Sequence, residues 1–240
     1  MTRRPDTKKI TNLSFQSPGS VFKHGDRTPV AVWPNDPNQE STWAEGLGQL
    51  TAEGFQQHVK LGQKLRQLYG GIFSPEYNSR EIYVRSSDVN RTILSAMANM
   101  VGFFGEVQNG DLAKLDGWPK NYQPVPIHTV PEKTDLMRAL LHKDCARYDE
   151  LTKLIAQTPE YLKLAEQNKD FLQKLQEITG DHNLSMNDLG LLADTYRIER
   201  KIQPIRDSRI YTRDLRFVGT DWIQNEQFQI WSSTRAIPRS

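Results

Sequence analysis

Residues 81–104 read EIYVRSSDVNRTILSAMANMVGFF. Ile82 and Val84 fall on one face of a short strand and Tyr83 on the other, the two-residue alternation of an extended segment. Further along, the period changes. Ile93, Met97, Met100, Val101 and Phe104 recur at the spacing of a helical face. Between the two patterns stand Ser86, Ser87 and Asp88, whose short polar side chains suit the N-cap of the helix that follows. A strand that passes through a polar turn into a helix is the working unit of a layered α/β fold, and that is the predicted class.

Working outward, a second helix is expected from about Thr51 to Tyr69, where Phe55, Val59, Leu65 and Leu68 line up and Gly70 and Gly71 mark the end. Before it, Val21 and Phe22 lead into Lys-His-Gly-Asp-Arg-Thr-Pro at Lys23–Pro29. From residue 131 to about 202 the character is helical, with apolar positions repeating around Met137–Leu141, Leu151–Ile155, Tyr161–Ala165 and Phe171–Ile178, and a last helix near Asn187–Arg200. The expected organisation is a lead-in over 1–20, an α/β core over 21–130 and a helical cap over 131–202. Residues 203–240 carry no assignable pattern.

The chain has 240 residues, 37% of them hydrophobic and 25% charged, in keeping with a folded globular protein. A net charge of +2 gives no reason to expect nucleic acid as a partner. No apolar run is long enough to span a membrane. The first twenty residues lack the apolar core of a signal peptide, which taken literally leaves the chain in the cytosol. Cys145 is the single cysteine, so an internal disulfide is excluded.

The Lys23–Pro29 cluster carries the chemistry. Gly25 lets the backbone turn sharply behind a short apolar segment, so that His24 and Arg27 can face one crevice with Lys23 nearby. A neutral imidazole flanked by cations suits attack on an anionic phosphate, because the cations fix the oxygens and lower the imidazole pKa. Arg85 ends the strand just before a helix N-terminus, and both features attract anions. Asp88 either caps that helix or orients Arg91. The blander reading is that a His-Gly pair and a strand-end arginine are ordinary surface features. His58 and His142 read as surface or half-buried helical residues, and His128, between prolines, as a structural hydrogen-bonder.

These motifs together resemble the histidine acid phosphatases, the branch that includes lysosomal and prostatic acid phosphatase. Lys23–Pro29 matches the family's R-H-G-x-R-x-P string except at its first position. The likeness continues through GLGQLTAEGFQQHVKLGQKLRQLY, EIYVRSSDVNRTILSAMANM, YQPVPIHTVP and HKDCARYDEL, over roughly residues 21–200. The resemblance implies a histidine-phosphatase-like α/β core with a helical cap, here with an incomplete sheet. It implies a phosphomonoesterase working through a phosphohistidine on His24, with Lys23, Arg27 and Arg85 binding phosphate. It implies no metal and no cofactor, a small phosphate ester as substrate, a lysosomal or secreted setting, and a homodimer.

Two departures stand out. The family carries a later His-Asp pair whose acid protonates the leaving alcohol, and this sequence contains no His-Asp dipeptide. The expectation is a chain truncated before that motif, with the partner of the Cys145-equivalent cysteine lost as well. Lys23 keeps the charge of the motif's first arginine without its forked donors. Three outcomes follow from the sequence: an acid phosphatase, an inactive relative that binds phosphate or a protein, or a truncated product that does not fold stably.

Overall fold

The structure is a computed structural model that describes residues 19–105, 112–120, 122–135 and 145–202. The expected helical segment at Met137–Leu141, His142, the lead-in to residue 18 and the 203–240 tail lie outside the described residues.

Helix α1 spans Ala52–Tyr69, within one residue of its expected start, because the Thr51 side chain accepts from the Gly54 N–H at 3.2 Å and closes the first turn. Strand β1 is only Val84–Arg85, shorter than the alternation predicts. It pairs in parallel with β2, Ile127–His128, in the register Val84 to Ile127 and Arg85 to His128. The Ser86 N–H extends the pairing by donating to the His128 carbonyl at 2.9 Å.

Helix α2 is Asn90–Phe104, and its start differs from the expected cap. Val89 occupies the N-cap and no side chain closes the turn. Ser86 donates to the Ser87 carbonyl, and the Ser87 and Thr92 hydroxyls bond each other at 2.9 Å. These hydroxyls find partners inside the turn, which leaves none for the helix N–H groups.

Helices α1 and α2 cross at backbone contact. A Cβ on Gly62 would lie 1.9 Å from the Asn99 carbonyl oxygen, and one on Gly102 would lie 2.0 Å from that of Val59. Below the crossing, Leu65, Phe103 and Phe104 form a buried cluster with Leu61, Phe73, Tyr77 and Val125 around it. The Arg66 guanidinium covers the Phe103 ring at 5.1 Å.

The remaining helices are α3 (Ala146–Ile155), α4 (Pro159–Gln167), α5 (Lys169–Thr179) and α6 (Leu189–Ile202). All four answer to helical patterns expected from the sequence. Gly180, at a φ of +72°, ends α5, and a Ser185–Asp188 capping box precedes α6. Here a second core forms, in which Trp33 packs among Leu175, Leu184, Leu192 and Tyr196. The loop after the Lys23–Pro29 motif is therefore built into the helical region. The Asn35 N–H bonds the Thr179 carbonyl at 2.9 Å and the Thr195 hydroxyl bonds that of Ala31 at 3.0 Å.

Candidate active site

The His24 segment is pinned from two sides. Helix α1 supplies one wall. A Cβ on Gly25 would stand 2.4 Å from the Gly54 carbonyl oxygen, so only glycine permits this approach. Gln57 accepts from the Asp26 N–H at 2.8 Å, and the Thr51 hydroxyl donates to the Asp26 carboxylate at 2.9 Å. Helix α2 supplies the other wall, where Ser95 accepts from the Gly25 N–H at 3.1 Å.

Within this frame His24 Nδ1 lies 2.8 Å from the Gly25 carbonyl oxygen. A carbonyl only accepts, so Nδ1 carries the proton and Nε2 keeps its lone pair. Burial lowers the His24 pKa below its ordinary value. The Gly25 hydrogen bond opposes that, and the charges of Arg91, Arg27 and Lys23 lower it further. The imidazole therefore favours its neutral form more than a free histidine does.

Arg27 and Lys23 both act on His24. Arg27 is also tied to Asp194 of α6 at 2.7 Å and donates to the Thr28 carbonyl at 3.1 Å. Arg85 pairs at 2.5 Å with the buried carboxylate of Asp135. Arg91 acts on His24, and it also donates to the Gly48 carbonyl at 3.3 Å. Reading the sequence for strand ends passes over Arg91. Its signal was the four-residue spacing to Ser95, which puts both on the α2 face toward Gly25. Asp194 had no such signal, since 167 positions separate it from Arg27.

One other histidine differs from expectation. His58 is buried, not at the surface, with 2% of its area exposed. It bonds the Lys23 backbone and meets the Phe22 ring at 5.3 Å. It is the α1 side chain directly behind the segment that leads into His24. The ring of His128 stacks on that of Tyr83 at 4.7 Å.

A family model described as the histidine phosphatase superfamily (branch 2) matches residues 7–232. The chain belongs to this family. Lysosomal acid phosphatase of Rattus norvegicus is 41% identical over 180 residues, which is 75% of this chain and 42% of that protein. Prostatic acid phosphatase of Bos taurus is 37% identical, over 73% of this chain and 44% of that protein. Testicular acid phosphatase of Mus musculus is 40% identical, over 67% and 37%. The chain thus spans less than half the length of these curated relatives. A phytase of Klebsiella sp ASR1 superposes with a TM-score of 0.48 at 18% identity, over 76% of this chain and 50% of that one.

Proposed function

We propose that the chain is a phosphomonoesterase that attacks small phosphate esters through His24. The observation that supports this most directly is the imidazole itself: Nδ1 is held by the Gly25 carbonyl while three cations act on the ring. Nε2 forms the bond to phosphorus as the ester P–O bond breaks, and the alkoxide leaves with the electron pair and takes a proton from solvent. Water then attacks the phosphohistidine, releasing phosphate and restoring Nε2. Arg91, Arg27 and Lys23 stabilise the charge on the equatorial oxygens in both steps. The names of the relatives support small esters and an acidic, lysosomal setting as the natural context, and dimerisation is part of the same proposal.

The test is hydrolysis of p-nitrophenyl phosphate at about pH 5, where a good leaving group makes no demand for a general acid. Turnover by the wild-type chain that disappears in His24→Ala supports the reading. Equal inactivity of two folded proteins sinks it. A second reading, an inactive relative that retains phosphate binding through its other cations, is favoured by the Asp194 carboxylate, which holds an Arg27 donor that transition-state stabilisation needs. Phosphate would then raise the unfolding temperature without being released from any ester.

A further inference from the structure

Two carboxyl groups meet in the interior where the helical region joins the nucleophile loop. Asp36, in the loop after the motif, is 6% exposed, and Glu199 of α6 is also 6% exposed. Asp36 Oδ1 accepts from the Asn38 N–H at 2.8 Å, and Asn38 also bonds the Glu199 carboxyl. That leaves one oxygen on each acid, Asp36 Oδ2 and Glu199 Oε1, buried and without a donor. An unmet buried acceptor is costly, and two facing carboxylates add like-charge repulsion. One proton removes both defects: a carboxylic acid becomes a donor, and its partner carboxylate accepts.

The same helix is fastened to the nucleophile segment at three further points. Thr195 bonds the Ala31 carbonyl, Asp194 pairs with Arg27, and Lys201 pairs with Asp26. We propose that Glu199 and Asp36 share one proton across this joint, and that the shared proton latches α6, with Asp194 and its hold on Arg27, onto the nucleophile segment. The latch itself assumes nothing about the reaction. Its effect on the phosphate ligand Arg27 rests on the phosphatase reading.

The groups that act on the Glu199 carboxyl are Asp36 and Asn38 of the loop; on its own helix, Arg197 pairs with Asp194 and Lys201 with Asp26 and Glu53. Burial, the Asp36 charge and the Asp36 hydrogen bond push the Glu199 pKa up to about 8. A raised acid keeps its proton in the folded state after the unfolded chain has lost it. The contribution is therefore complete below the ordinary carboxyl range and is lost as pH climbs to about 8.

The experiment is urea unfolding of the whole chain across this pH range, comparing wild type with Glu199→Gln and Asp36→Asn. For wild type, this one group lowers the folding constant by about tenfold per pH unit. Glutamine keeps a donor toward Asp36 and cannot ionise. Glu199→Gln is expected to flatten the slope by one proton, matching wild type in acid and exceeding it in stability at the alkaline end. Asp36→Asn keeps the acceptor for Asn38 and is expected to flatten the slope too. A wild-type slope in Glu199→Gln, or the same loss of stability at every pH, overturns the latch. Infrared spectra at about pH 6 give a second readout on the folded protein: the C=O stretch of a protonated acid, present in wild type and absent in Glu199→Gln. Its presence in both, or absence from both, also overturns it. Neither readout involves turnover, so a chain that fails to hydrolyse esters leaves the latch standing, and a failed latch leaves the His24 chemistry untouched.

Discussion

A histidine nucleophile needs the right nitrogen bare, and Gly25 provides this through its carbonyl. The cations around the ring then divide the arginines by consequence. Arg91 acts on His24, whereas Arg85 is held by Asp135. Arg91→Ala is expected to lower p-nitrophenyl phosphate turnover about ten- to a hundredfold, the worth of one charge-assisted hydrogen bond. Arg85→Ala should leave turnover much closer to wild type while lowering the unfolding temperature, because it removes an ion-pair partner of the buried Asp135 carboxylate. The reverse order of losses would return Arg85 to the phosphate. At this scale the sequence singled out His24, Arg27 and Lys23, the residues of the proposed site, because they sit in one heptapeptide. Arg91 was obscured because a strand-end position looked the better anion site, and whether a strand-end side chain turns to a substrate or to a carboxylate fifty positions later is decided by packing.

Among the elements, the α1–α2 crossing sets the tightest constraint. Gly62 and Gly102 each face a carbonyl oxygen of the other helix at a distance no Cβ tolerates. Alanine at either position forces the helices apart, and a loss of roughly 1–3 kcal/mol or more is expected from such overpacking. Gly71, which has open space around it, serves as the control and should lose little. Urea denaturation of the three variants measures this directly. Since α1 and α2 also flank Gly25, the two crossing variants should lose activity along with stability. Helix positions were readable from apolar spacing, α1 and α6 to within two residues, whereas α3 begins five residues before the expected segment. The short strands were not, because Ile82 and Tyr83 alternate as a strand would but find no partner among the described residues, and a hydrogen-bonded neighbour is what makes a strand.

Across the molecule, opposing titrations bound the stable range. His24 and His58 are both lowered, chiefly by burial, so the folded state binds fewer protons than the unfolded one and their share of stability is lost as pH falls below about 6.5. Glu199 acts in the opposite sense, its share declining toward about pH 8. Between about pH 6.5 and 8 only the Glu199 loss operates, so thermal stability should peak near the acid end of this interval, around pH 6.5, with His58→Gln softening the acid limb and leaving the alkaline limb alone. An acid limb unchanged by that substitution would mean that other groups carry it. None of this was visible in sequence, because Trp33 and Tyr196, like Asp36 and Glu199, become neighbours only when the helical region folds back over the loop.

The loop that carries Asp36 is bracketed by two indoles, Trp33 and Trp43, each only 8% exposed. Trp33 lies against α6 itself, through Leu192 and Tyr196. The molecule thus has an optical gauge built into the joint. Water reaching Trp33 would shift its emission to the red, and that shift in wild type, absent from Trp33→Phe, would report separation of helix and loop in real time, without any added dye.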